Sequence, residues 1–266
     1  MVSSVQYATL DEVRQVPTPA ATRTHRPIPH DRLISLARSS LAAVGYTPAV
    51  ESYELDCEGQ RLFATWDLVR QAGETFGRDV EGTETRLSCG LRNAHDKRFA
   101  SGVCLGSRVL VCSNLEFGAE FQLGRKHTRN INRDLPDLLS ELAGKVPEFS
   151  NVHEARINAY RCTAINDAAA HDLIIRSVDA AVIANQAVPA VLGYWRNPPH
   201  EAFEDRTAWS LLNAYTEHLK STNQFELATR TRRLHPLLAA AAAAAGAVSL
   251  PEPAAELIDS SGRVVE

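Results

Sequence analysis

Several features are missing from this 266-residue chain, and each absence closes a functional route. No apolar run reaches the ~18 residues that a membrane span requires, so no membrane association is expected. The opening segment MVSSVQYATLDEVRQ has neither the positive first region nor the apolar core of a secretory signal. The expected location is therefore the cytoplasm. The five cysteines, Cys57, Cys89, Cys104, Cys112 and Cys162, are odd in number and contain no C-x-x-C pair. Reduced thiols in apolar surroundings fit them better than a disulfide framework or a zinc site. H-E-x-x-H and D-x-D spacings are absent too, and with them any expectation of a metal. Without G-x-G-x-x-G, G-x-x-x-x-G-K-[ST] or G-x-S-x-G, dinucleotide, nucleoside triphosphate and serine-hydrolase chemistry have no motif to stand on, and no cofactor is expected. Aromatics make up only 6% of the chain, and the net charge is -4 with a pI near 6.2. A nucleic-acid contact would have to come from a local basic patch.

What is present describes an ordinary globular protein, 44% hydrophobic and 23% charged. The first 29 residues are polar, with prolines at 17, 19, 27 and 29, and are expected to form an extended arm. A single α+β domain should follow over residues 30–236, with a low-complexity tail over residues 237–266 that contains seven consecutive alanines, Ala239 to Ala245. Helical spacing of Leu33, Ile34, Ala37 and Leu41 predicts a first helix capped by His30-Asp31 and stopped by Gly45. Val50 to Leu55 and Arg61 to Leu68 have strand character, joined by a turn at Cys57-Glu58-Gly59. Further on, Gly106-Ser107 between two apolar runs has the composition of a type II′ hairpin turn. These strands predict an antiparallel sheet of four or five strands, with helices packed on one face and a helical C-terminal half.

Two groups of residues could carry function. The polar loop Asn93-Ala94-His95-Asp96-Lys97-Arg98 places an imidazole beside a carboxylate and an ammonium, the ingredients of acid–base work. Adjacent residues in an extended loop face opposite ways, however, so a polar turn between strands is the simpler account, and no catalytic residue is assigned. Arg125, Lys126, Arg129 and Arg133, with His127 beside them, recur at helical spacing at the start of a helix predicted from about Lys126 to Ala143, with Pro136 kinking or dividing it. From Glu84 to Arg133 the chain holds nine basic and four acidic residues, a local excess of +5. Such an excess can meet phosphates, while a solvated helix face with its own ion pairs is the competing account. Trp195, Trp209 and Asn213 form a polar-aromatic group for which packing is the expected role.

The segments RNAHDK (92–97), VCSNLEF (111–117), RKHT (125–128) and TAWSLLNAYTE (207–217) together resemble a large prokaryotic family of phage- and plasmid-associated proteins known as a domain of unknown function. The resemblance implies a setting in mobile elements and supplies no activity. It includes Asn93, His95, Asp96, Lys97 and His127, and it departs where relatives commonly carry Ser and this chain has Ala94. The leading expectation is a non-enzymatic protein binding single-stranded DNA through Lys97, Arg98, Arg125, Lys126, Arg129 and Arg133. The alternatives are a nucleic-acid hydrolase using His95, Asp96 and Lys97, and a protein-interaction factor acting on a host system.

Overall fold

The computed structural model describes residues 6–70, 85–109, 115–220, 222 and 224–246. Six strands, β1 (Gln6–Ala8), β2 (Tyr46–Asp56), β3 (Arg61–Arg70), β4 (Thr85–Ala94), β5 (Ser101–Val109) and β6 (Leu115–Arg125), pair in sequence order into one antiparallel sheet. The fold is α+β. The sheet has one or two strands more than expected: the N-terminal arm contributes β1 at one edge, where Tyr7 pairs with Glu54, and β6 forms the other edge. A short helix α1 (Leu10–Gln15), held by a capping box between Thr9 and Glu12, then buries Val13 against the body.

Alternation sets the sheet's inner face. Leu62, Ala64, Trp66 and Leu68 of β3, Leu87, Cys89 and Leu91 of β4, and Val103 and Leu105 of β5 all join one core cluster. It is covered by α2 (His30–Ala43) and α3 (Ile131–Gly144), through Leu33, Leu41, Ile131, Leu135 and Leu139. Burying each such side chain is worth about 1.5–3 kcal/mol before entropy is charged against it. On the opposite face, Leu219 and Leu227 pack on Phe63 and Cys104, so helical cover reaches both faces rather than one. The C-terminal helices α4 (Val146–Cys162), α5 (Asp167–Asp179), α6 (Val188–Arg196), α7 (Ala208–Leu219) and α8 (Gln224–Ala244) enclose a second core around Tyr160, Ile174, Trp195, Leu212 and Tyr215. Asn166 caps α5 and Thr207 caps α7, their side chains accepting from the backbone N–H of Ala169 and Ser210.

Four expectations are corrected. Gly106-Ser107 is no hairpin turn: both residues lie inside β5, opposite Ser88 and Leu87 on one side and Phe117 and Glu116 on the other. The glycine sits at a register shift between β5 and β6, a place where a strand uses glycine without turning. The helix expected from Lys126 starts only at Ile131; Arg125 closes β6, and Pro136 is accommodated within one continuous helix. The alanine run continues α8 to Ala244, with Leu238 and Ala242 buried, because helix-favouring alanine here has a core to lean on. Finally, His30 does not cap α2 with its side chain; it is itself buried at the helix's first position. Of the cysteines, Cys89 and Cys104 are buried, Cys57 and Cys162 are exposed, and Cys112 lies outside the described residues.

Candidate functional site

The polar loop and the basic segment meet at one end of the sheet, and histidines from the arm join them. Asn93 lies on β4 opposite Leu62 and faces the core side, where Ser101 begins β5 and pairs with Arg125 at the end of β6. Just beyond these strand ends, His95 opens the β4–β5 turn and His127 occupies the β6–α3 turn. The arm crosses both: Arg26 donates its backbone N–H to the His127 carbonyl at 2.8 Å, and His25 Nε2 donates to the His95 carbonyl at 3.3 Å. His30 stacks on His95 with parallel rings 4.0 Å apart, and His25 stacks on His127 at 5.3 Å.

The hydrogen bonds among these groups determine which atoms carry protons. The Asn93 amide donates one N–H to the Ile28 carbonyl at 3.0 Å and the other to His30 Nδ1 at 2.9 Å. His30 must then carry its proton on Nε2, which donates to the Gly59 carbonyl at 2.8 Å. The Ile28 carbonyl fixes the amide's orientation, so Asn93 Oδ1 accepts from the Ser101 hydroxyl at 2.5 Å. With that proton committed, Ser101 Oγ accepts from His127 Nε2 at 2.6 Å. His95 Nε2 supplies the second hydrogen bond to Ile28, at 2.8 Å. Two lone pairs remain without a partner in the interior, on His95 Nδ1 and His127 Nδ1.

Burial keeps this network uncharged. Desolvation, aided by neighbouring imidazoles, pushes His30 and His127 down to about 4, and desolvation also lowers His95. Near neutral pH His30, His95 and His127 are therefore neutral struts at this end of the sheet. Ser101 is fully enclosed and its proton is held by an amide, so it is not set up as a nucleophile.

The charged residues named from sequence separate into two groups. Lys97, Arg98, Lys126 and Arg129 are exposed on the two turns. Arg125 is turned inward onto Asp134, which also takes Nε of the 75% exposed Arg133 at 2.7 Å, so Arg125 serves an ion pair rather than an open stripe while Arg133 stays at the surface. The regular four-residue spacing of the arginines never becomes a helix face, because Arg125 belongs to a strand. Asp96 is engaged by Arg61 Nε at 2.7 Å, and its other oxygen accepts the Arg98 backbone N–H at 3.1 Å. His95 thus turns to the Ile28 carbonyl and Asp96 to Arg61, while Lys97 is exposed. Trp209 and Asn213 are packed within α7, the Asn213 amide donating to the Trp209 carbonyl at 2.9 Å.

The family described as Domain of unknown function (DUF932) matches residues 22–243. The chain belongs to that family. No curated protein and no solved structure matches it. The DUF932 match begins just before His25 and so takes in the histidine part of the arm along with both turns. Sequence reasoning found Asn93, His95 and His127 but missed His25, His30 and Ser101. The available signal was a pair of histidines flanking the prolines of an otherwise polar arm, at positions 25 and 30. Among the described residues no group of three His, Cys, Asp or Glu side chains could hold a metal ion, and no helix is long and apolar enough to cross a membrane.

Proposed function

We propose that this DUF932 domain binds single-stranded nucleic acid, single-stranded DNA in the first instance, in the biology of phages and plasmids, without catalysing a reaction on it. The observation that carries the reading is the juxtaposition of the Lys97-Arg98 turn with the Lys126-Arg129 turn, stapled by His25, His95 and His127. Exposed Arg23 and Arg26 on the crossing arm add cations to the same end. In an acidic chain, such a local cluster is suited to a phosphate backbone, and affinity should depend strongly on salt. Enclosure of Ser101 and diversion of Asp96 to Arg61 favour binding over hydrolysis.

The test is a titration of labelled single-stranded DNA at two salt concentrations. Binding at low salt that weakens steeply as salt rises supports the reading. Replacing Lys97, Arg98, Lys126 and Arg129 together by Ala should cut the low-salt affinity at least a hundredfold and flatten the salt slope by about 0.7 for each phosphate no longer neutralised. Absence of binding at low salt, or an unchanged affinity in that variant, overturns it.

A further inference from the structure

On the sheet face turned away from the histidine network, a cavity of about 180 Å³ runs across β1, β2, β3 and β5 beside the end of α7. Its walls include Glu54 of β2, Arg108 of β5, and Thr216 and Lys220 at the end of α7, and Tyr7 of β1 also lines it. Ligand pockets that enclose whole drug-sized molecules run to roughly 300–1,000 Å³, so this one takes a small polar group and leaves the rest of a ligand outside.

The polar groups are distributed unevenly around it. Arg108 is oriented from behind: its Nε donates to Asp67 Oδ1 at 2.9 Å, and Asp67, 4% exposed, also accepts the Ser88 hydroxyl at 3.0 Å. A guanidinium fixed by a buried carboxylate is already positioned for a further oxyanion. Lys220 approaches from the helix end, its ammonium resting on Glu217 at 2.7 Å in a partly exposed pair that a stronger anion can displace. Glu54 lies across the ladder from Tyr7 and lines the cavity with it. The Thr216 hydroxyl donates to the Asn213 carbonyl at 3.2 Å, which leaves its oxygen as an acceptor for an incoming hydroxyl. Tyr7 is 76% exposed, a large ring with no packing role to account for it.

We propose that this cavity binds a nucleoside monophosphate, with the phosphate between Arg108 and Lys220, the sugar hydroxyl on Glu54 and Thr216, and the base on the Tyr7 ring. Two cations match a phosphate, a carboxylate and a hydroxyl oxygen match a sugar hydroxyl, and an exposed tyrosine matches any base because every base has a π-face. The site is independent of the basic turns, so each assignment can fail alone.

Isothermal titration of the full chain with deoxyadenosine 5′-monophosphate, inorganic phosphate and deoxyadenosine tests it. The nucleotide should bind more tightly than either half, and Lys220→Ala and Tyr7→Ala should each weaken it about tenfold. Both residues are exposed enough to be replaced without loss of the fold, and the two variants should keep the wild-type circular dichroism. Lys145→Ala, at a partly exposed lysine that closes α3 and belongs to neither site, should leave nucleotide binding unchanged. No binding at millimolar nucleotide, inorganic phosphate binding as tightly as the nucleotide, or unchanged affinity in either variant overturns the proposal.

Discussion

Asn93 and His30, 63 positions apart in sequence, are joined by a 2.9 Å hydrogen bond from the amide to Nδ1, and through it the middle of the sheet holds the start of α2. Asn93 also grips Ile28 and receives Ser101, so a single side chain ties the arm to β4 and β5. Asn93→Ala should strand His30 Nδ1 and the Ser101 hydroxyl, costing about 1–3 kcal/mol in urea denaturation. It should also loosen the arm. Trypsin cleavage after the exposed Arg23 should then accelerate relative to wild type, and unchanged stability together with unchanged cleavage would show that the network is not what holds the arm.

Gly59 receives the far end of the same chain of bonds, accepting from His30 Nε2 while its own φ is +82°. An added Cβ would stand 3.2 Å from Val16 Cγ2, just past α1. Gly59→Ala therefore meets both a left-handed backbone, at about 1–2 kcal/mol, and a crowded neighbour. Thermal unfolding should register the loss, and Val16→Ala in the same chain should recover only the part due to crowding. Full recovery would assign the whole effect to the contact.

The parts of this molecule legible in the sequence are those whose signal is local. Alternation along Leu62, Ala64, Trp66 and Leu68 states the buried face of β3, and Asn166 and Thr207 announce helix starts where their caps are formed. Gly106-Ser107 misled because a glycine at a sheet irregularity and a glycine in a turn look alike within a few residues; only pairing with β4 and β6 separates them. Arg125 misled similarly, its spacing from Arg129 and Arg133 being helical while its backbone is a strand end. The histidine network was illegible for a different reason. Its bonds link the arm to β4 across 63 to 70 positions, and no spacing rule encodes a contact that only the folded sheet creates.

Arg125 and Arg129 should accordingly behave as opposites, although four residues apart. Arg125 is largely enclosed against Asp134, linking the end of β6 to the first turns of α3. Arg125→Ala should lower the thermal midpoint by a few degrees, with single-stranded DNA binding changed only as far as folding is changed. Arg129→Ala, at an exposed turn, should leave the midpoint within error and weaken binding a few-fold at low salt. Measuring both properties on both variants separates the ion-pair role from the surface role. A reversal of the pattern would return Arg125 to the binding surface.

Acid should dismantle the histidine end of the sheet. His30 and His127 are held down at about 4 and His95 below its ordinary value, chiefly because burial penalises the imidazolium. In the unfolded chain these groups titrate near 6.5, so between that pH and about 4 the unfolded state binds more protons than the folded one. Stability is then complete above about pH 6.5 and falls as pH drops toward 4, by up to about 1.4 kcal/mol per pH unit for each histidine involved. His153, down at about 3, and His235, also lowered by burial, sit on α4 and α8 and add to the slope in the same direction. A wild-type slope alone therefore does not locate the effect. His127→Gln keeps a polar side chain beside Ser101 but cannot titrate, and it should flatten the stability curve between pH 6.5 and 4 by one histidine's share while costing stability at pH 7.5. Denaturant midpoints across that range, compared with those of His153→Gln, separate the two contributions: a slope unaffected by His127→Gln would remove His127 from the acid-sensitive groups.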